Sequence, residues 1–115
     1  MHTLDTEYGW CSVLQELDAD EVLLVDDFPI AAFLKSQWDI ERDAWINYGA
    51  GLSTERLNLG YGNHAQNGPK VWQTIVHVVT HGIQHRSEAA AILTGYGQSP
   101  GDLDFDKFLK EKSEL

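Results

Sequence analysis

The stretch from Pro69 to Gly97 constrains the fold more than any other part of the sequence, because it has the clearest helical period in the chain. At about 100° per residue, six of its residues fall on one continuous apolar stripe. These residues are Val71, Ile75, Val78, Gly82, Ala89 and Ile92. Pro69 suits the first helical turn, and Gly97 with Pro100 just beyond it suits the end. The stretch is therefore predicted to be a long helix that packs against other helices.

The same predicted helix carries three histidines at four-residue intervals, His77, His81 and His85. On the helical wheel, His85 lies near the middle of the apolar stripe, His81 about 40° to one side, and His77 about 40° further toward the polar arc. Imidazoles at i and i+4 are about 5–6 Å apart at Cβ, so both can bind one metal ion at about 2.0–2.1 Å. We therefore predict metal binding by His81 and His85. The alternative is that they are ordinary helix histidines, hydrogen-bonded in the interior.

Two familiar metalloenzyme classes do not fit this spacing. In zincin peptidases a glutamate follows the first histidine as general base, and Gly82 occupies that place here. Carboxylate-rich di-iron bundles need a glutamate three residues before a histidine, and no histidine of this chain has one. Neither class is therefore predicted.

Composition limits the remaining functions. The chain has 115 residues, 43% of them hydrophobic, which suits one domain spanning 1–115. Its formal net charge of −10 disfavours binding to nucleic acid or anionic lipid. A single cysteine, Cys11, excludes an intrachain disulfide, and neither a signal peptide nor a membrane span is recognisable. We predict a cytoplasmic protein in which Cys11, beside Leu4 and Leu14 on a helical wheel, is a buried, inert thiol rather than a nucleophile.

Two further helices precede the histidine helix. The first is predicted from His2 to about Leu17, with Trp10 and Val13 on its apolar arc. The second is predicted to start at an Asp27 cap and to reach about Gly49, with Trp38 and Trp45 on its buried stripe.

The segments that flank the histidine helix are shorter. Ser53 to Gly68 lacks a helical period and is punctuated by glycines, which predicts an extended or hairpin loop. After the histidine helix, an Asp104 cap predicts a short final helix from Phe105 to about Lys112.

Two segments, read together, resemble a known family. HVVTHGIQHR, His77 to Arg86, is followed by a helix end and GYGQSP, and HTLDTEYGW, His2 to Trp10, opens the first helix. With these segments the chain resembles the DinB-like superfamily of four-helix-bundle metalloproteins. The resemblance implies an all-α bundle with three main helices, a short irregular or hairpin loop and a short C-terminal helix.

The resemblance also implies a site and a chemistry. His2, His81 and His85 would bind one divalent metal, with zinc the first candidate and nickel, iron or cobalt as alternatives. His77 would lie near the metal but outside its direct ligands. Family members with assigned chemistry are thiol S-transferases and isomerases that use low-molecular-weight thiols such as bacillithiol or mycothiol, and act on an electrophile.

Catalysis of this type needs a general acid or base near the metal, and the candidates are His77, Tyr61 and His64. The alternative function is a catalytically silent homodimeric bundle that keeps the histidines without turnover. A role on DNA, which the family's name suggests, conflicts with the negative charge.

The chain departs from the family in lacking the helix that precedes the one with His2. Three main helices leave an apolar groove, which we expect a second copy of the chain, or a helix upstream of Met1, to fill. A further expectation concerns Arg86, which lies on the apolar side of its helix and is predicted to form a partly buried ion pair with Glu7.

Overall fold

A computed structural model describes residues 1–17, 23–62 and 66–113. The prediction of an all-α fold is confirmed, since the described residues contain helices and no strand. Five α-helices follow one another: α1 (His2–Leu14), α2 (Ala31–Ala50), α3 (Thr54–Leu57), α4 (Val71–Gly95) and α5 (Phe105–Ser113). A 3-10 turn, Val25–Asp27, precedes α2.

The chain divides into two compact units, Met1–Gly82 and Ile83–Leu115, with the division inside α4. The first unit contains α1, α2, α3 and the first half of α4. The second contains the rest of α4 and α5, and its described residues, 83–113, include none that is buried. The assignment of 1–115 to one domain stays a prediction.

The core of the first unit is small. Its buried apolar side chains, among the described residues, are Leu4, Cys11, Leu14, Val71 and Val78. Each contributes roughly 1.5–3 kcal/mol of burial free energy, so the whole cluster is a modest source of stability. No described helix is both long enough and apolar enough to span a bilayer.

Only part of the apolar arc predicted for α1 is buried in the structure. Leu14 is buried as expected, but Trp10 is half-buried and Val13 is 41% exposed. The helix ends at Leu14 because Glu16 adopts φ 56°, and Leu17 N–H then donates to the Ser12 carbonyl at 2.9 Å. This is the left-handed closure of a Schellman motif, here without its usual glycine.

The start of α2 differs from the prediction. Asp27 lies in the 3-10 turn and does not cap the helix, whose first residue is Ala31. The predicted stripe of buried tryptophans is also only half-buried. Trp38 and Trp45 lie at the edge of the core, since their indole N–H groups donate to the side chain and the backbone of Glu7 on α1. Glu41 is the one residue of α2 that is buried.

The loop between α2 and α4 is irregular and contains one helical turn, α3. Ser53 caps this turn, because its Oγ accepts a hydrogen bond from Arg56 N–H at 3.0 Å. Leu59 O accepts from Val71 N–H at 3.0 Å and so fixes the loop to the start of α4. His64 falls outside the described residues.

The ends of α4 and α5 agree closely with the sequence. Gly97 adopts φ 73°, and the N–H groups of Gly97 and Gln98 donate to the carbonyls of Thr94 and Leu93. Both bonds of a Schellman motif are therefore present, and the predicted glycine stop is confirmed. The final helix begins at Phe105 as predicted.

Candidate metal centre

The first contact of the candidate site joins the start of α1 to α4. The Nε2 atoms of His2 and His81 are 3.2 Å apart, and the ring centroids are 5.0 Å apart at a steep angle of 68°. His2 is the first residue of α1, so the helix start places this ring beside α4. The resemblance implies that His2 belongs to the site, and its ring does lie beside His81, while its role as a ligand stays a prediction.

A third imidazole joins this pair from the next turn of the continuous helix α4. One ring nitrogen from each of His2, His81 and His85 lies within 4.8 Å of the other two. His2 is exposed, whereas His81 and His85 are half-buried. The three residues implied by the resemblance are therefore brought together, and solvent reaches the cluster from the His2 side.

One distance in the cluster suits a shared metal ion. Two nitrogens bound to one zinc at about 2.0–2.1 Å, at the tetrahedral angle, are about 3.3 Å apart. The observed 3.2 Å between His2 and His81 is close to that separation. The same distance also suits a hydrogen bond in which one neutral imidazole donates to the other, which depends on the tautomers. The third imidazole, that of His85, lies one helical turn after His81 on α4 and completes the group of three ring nitrogens.

A carboxylate lies beside one of the three rings. His85 Nδ1 lies 3.3 Å from Glu88 Oε2, one turn further along α4. Metal-binding histidines almost always donate their other ring N–H to such an acceptor, which fixes the tautomer and leaves Nε2 as the metal ligand. The sequence reasoning missed Glu88, although its i+3 position after His85 was the available signal. As a surface pair without metal, the same contact would contribute little.

His77 lies beside the cluster but outside it, as expected. Its ring centroid is 6.0 Å from that of His81 and 5.8 Å from that of Trp10 on α1. The residue is exposed, so protons can exchange with solvent at its ring. Its catalytic role stays a prediction.

Tyr61 makes its hydrogen bond some distance along α4 from the proposed ligand His81. Its hydroxyl hydrogen-bonds to Thr74 Oγ1 in the first turn of α4. Thr74 precedes His81 by seven residues, which is about 10 Å along a helix axis. The structure therefore gives Tyr61 a contact within the fold, and its predicted catalytic role stays untested, like that of His64.

Cys11 behaves as the sequence predicted. It is buried, and burial raises the pKa of its thiol above the usual value, partly offset by a hydrogen bond from Gln15 Nε2 to Sγ at 3.2 Å. A raised pKa keeps the sulfur protonated and weakly nucleophilic. Its position nine residues after His2, about 13 Å along α1, also separates it from that histidine.

Comparisons with known proteins give this site no precedent: no protein-family model matches the chain, and neither a curated protein nor a solved structure does so. What indicates the chemistry of the site is therefore its own residues and the resemblance of the two histidine-bearing segments.

Proposed function

We propose that the protein binds one divalent metal ion through His2, His81 and His85, with zinc the first candidate and nickel, iron or cobalt as alternatives. The observation that carries the proposal is the approach of three ring nitrogens to within 4.8 Å of one another. The contact between His85 and Glu88 adds support, because metal-binding histidines commonly pair their other ring nitrogen with a carboxylate. A formal net charge of −10 also favours cations over anions near the chain.

The proposed activity is that of a DinB-like metal-dependent enzyme, a thiol S-transferase or a related transferase or isomerase, in the cytoplasm. Three protein ligands leave room for a further one, which is the arrangement of catalytic rather than structural zinc sites. When bound, the metal would lower the pKa of a coordinated thiol and keep it as a thiolate. His77, whose ring lies beside that of His81 and is open to solvent, would exchange a proton with the reacting groups.

A second candidate function is a catalytically silent, metal-binding homodimer. It is favoured by the position of Tyr61, whose hydroxyl bonds to Thr74 rather than lying at the histidines. It is also favoured by the exposed large hydrophobic residues of α2 and α4, which a second copy would cover. These include Phe33, Ile40, Ile46, Val76, Val79 and Ile83.

Elemental analysis of untagged protein tests the metal site. We expect about one divalent ion per chain in the wild type, and loss of the ion in His81→Ala and His85→Ala. His77→Ala is the matched control, because this histidine is on the same helix and touches His81 but is not one of the three ligands. Undiminished metal content in both ligand variants would refute the site, and loss in the control alone would mean that the wrong pair was assigned.

An assay then separates the two functions. Metal-loaded protein is mixed with a low-molecular-weight thiol and the chromogenic electrophile 1-chloro-2,4-dinitrobenzene, with metal-free protein as the control. The enzyme proposal expects a metal-dependent rate that falls in His77→Ala. A metal-loaded protein with no rate above the metal-free control, and a dimer by sedimentation, would favour the silent bundle.

A further inference from the structure

We propose that a groove on α1 binds the uncharged, apolar tail of a small ligand whose head group binds at the histidine cluster. The groove has a volume of about 240 Å³ and is lined by Thr6, Gly9, Trp10 and Val13. The inference rests on the proposed metal site, because the metal supplies the anchor for the head group.

The groove starts where the histidine cluster ends. At 100° per residue, His2, Thr6, Gly9 and Val13 fall within about 60° of one another, so they form one stripe about 16 Å long on α1. Trp10 borders this stripe and also contacts His77, at 5.8 Å between ring centroids. His77 in turn lies 6.0 Å from His81. A ligand attached at His2 and His81 can therefore continue along α1 into the groove.

Gly9 leaves the groove open. A Cβ atom added at this position would meet no atom within 4 Å, so the glycine is not required by close packing in the fold. A glycine inside a helix costs about 1 kcal/mol relative to alanine. The space beside Gly9 is therefore accessible to a ligand, and a larger side chain there would occupy it.

The lining determines the chemistry of the occupant. An indole, a valine and a threonine surround the glycine, and none of the four residues carries a charge. The net charge of −10 disfavours an anionic tail. The groove is open to solvent and lies on one face of α1, so it suits a small tail, such as one aromatic ring or a short alkyl chain, that covers these side chains.

The test compares two thiols on protein loaded with cobalt(II). Phenylmethanethiol has an aromatic tail, 2-mercaptoethanol has a small polar one, and both report binding through the near-ultraviolet absorption of a cobalt thiolate. The visible absorption of the cobalt ion reports metal occupancy separately. We expect phenylmethanethiol to bind at least about tenfold more tightly, because its ring removes apolar surface from water.

Gly9→Leu fills the groove and should abolish this preference while leaving cobalt occupancy and the affinity for 2-mercaptoethanol unchanged. Gly49→Leu is the matched control, since Gly49 is a helical glycine of α2 whose added Cβ also meets nothing within 4 Å. Val13→Asp is a second variant in case Gly9→Leu fails to fold, and it should weaken phenylmethanethiol selectively by placing a charge in the groove.

Three results would overturn the inference. Equal affinity of the wild type for the two thiols, with cobalt bound, would refute the tail site alone. A protein that binds no cobalt would refute the proposed metal site, and the inference would fail with it. A dimer that dissociates in Gly9→Leu but not in Gly49→Leu would assign the groove to a second copy of the chain.

Discussion

Two clusters of titratable side chains differ in what holds them together. Where α1 meets α2, carboxylates accept hydrogen bonds from neighbouring donors: Glu7 Oε2 from Trp38 at 2.9 Å, and Glu41 Oε1 from Gln37 at 3.3 Å. In the histidine cluster, ring nitrogens instead approach one another, to 3.2 Å between His2 and His81. The carboxylates thus have contacts that hold the fold, whereas the three imidazoles form the proposed metal site.

Burial separates the two clusters as well. Glu41 is 4% exposed, and its burial raises the pKa of its carboxyl, to which the nearby charge of Glu7 adds, while Gln37 opposes the shift. A perturbed pKa is often taken as a sign of a functional site. Here the perturbed group lies at the helix contact, and the exposed histidine His2 lies at the candidate site. The comparison predicts that changes in one cluster alter stability and changes in the other alter metal binding.

The largest expected effect is on metal affinity. His81→Ala removes one of the three proposed ligands, so it should weaken metal binding by more than the about 10–100-fold that the loss of an orienting partner costs. The free energy of unfolding of the metal-free protein should change by less than about 0.5 kcal/mol, because the residue is not part of the buried core. Metal titration and denaturant unfolding of the same sample measure both quantities. A large loss of metal-free stability would show that the histidines also hold the fold.

The converse experiment is Glu7→Ala. Loss of a hydrogen bond to a charged group typically costs about 1.5–3 kcal/mol, so urea unfolding should show a clear decrease relative to the wild type. Metal affinity of the folded fraction should stay within about twofold, which is less than 0.5 kcal/mol. Glu7 is half-buried and Arg86 is exposed, and the ion pair expected between them stays a prediction. If Glu7→Ala weakened metal binding as well as stability, the result would favour that ion pair. It would also show that the two clusters are not independent.

A smaller effect is expected at Glu88. Glu88→Gln keeps the size of the side chain but removes the charge that faces His85 Nδ1 at 3.3 Å. Because the pair is partly exposed, we expect a loss of metal affinity at the low end of the usual range, about tenfold. Glu111→Gln on α5 is a control that removes the same charge elsewhere. Equal effects of the two variants would mean that Glu88 acts only through net charge.

The sequence predicted the helices better than the faces that they bury. Period and glycine stops located α4 and α5 to within about two residues of their observed ends. The wheel failed for α1 and α2, because it assigns apolar residues to the core and cannot register hydrogen bonds across helices. Trp38 and Trp45 are half-buried and donate hydrogen bonds to Glu7 on α1. The buried residue of α2 is instead Glu41.

The candidate site could be predicted only in part. The four-residue spacing located His81 and His85, whereas His2 came from the resemblance alone, because no local pattern links it to residues almost eighty positions away. Tyr61 was proposed from its residue type, and its hydrogen bond with Thr74 depends on tertiary structure that the sequence does not display. Glu88 follows His85 by three residues, but this spacing is common for exposed helix residues, and only the structure shows the contact between the two side chains.

The pH dependence of stability tests the carboxylate cluster directly. Burial raises the pKa of the Glu41 carboxyl, which lies near Glu7 and Cys11. The folded protein therefore favours the protonated carboxyl, which contributes stability below the usual pKa of 4.5. That contribution is lost as the pH rises through the pKa of Glu41 in the folded protein. Glu41→Gln should therefore be more stable than the wild type at pH 7, on the order of 1 kcal/mol, with the difference closing below pH 4.5. Thermal unfolding from pH 4 to pH 7 measures this. A variant less stable at pH 7 would indicate that the ionised carboxylate is held by a favourable contact.

The smallest expected effect is at Tyr48, whose hydroxyl is buried and has no hydrogen-bond partner among the described residues. Its ring stacks edge-on against Trp45 at 6.1 Å, so the ring is held by packing and not by the hydroxyl. Burying a polar group without a partner costs about 1–3 kcal/mol, and Phe keeps the ring while removing that group. Tyr48→Phe should therefore match the wild type in stability or exceed it by up to about 1 kcal/mol in urea unfolding.

Tyr61→Phe is the control, since it breaks the hydrogen bond to Thr74 and should lower stability by about 1 kcal/mol. If Tyr48→Phe were the more destabilised of the two, the Tyr48 hydroxyl would have a partner outside the described residues, and the helix contact would be held by more polar bonds than Glu7 and Glu41 provide.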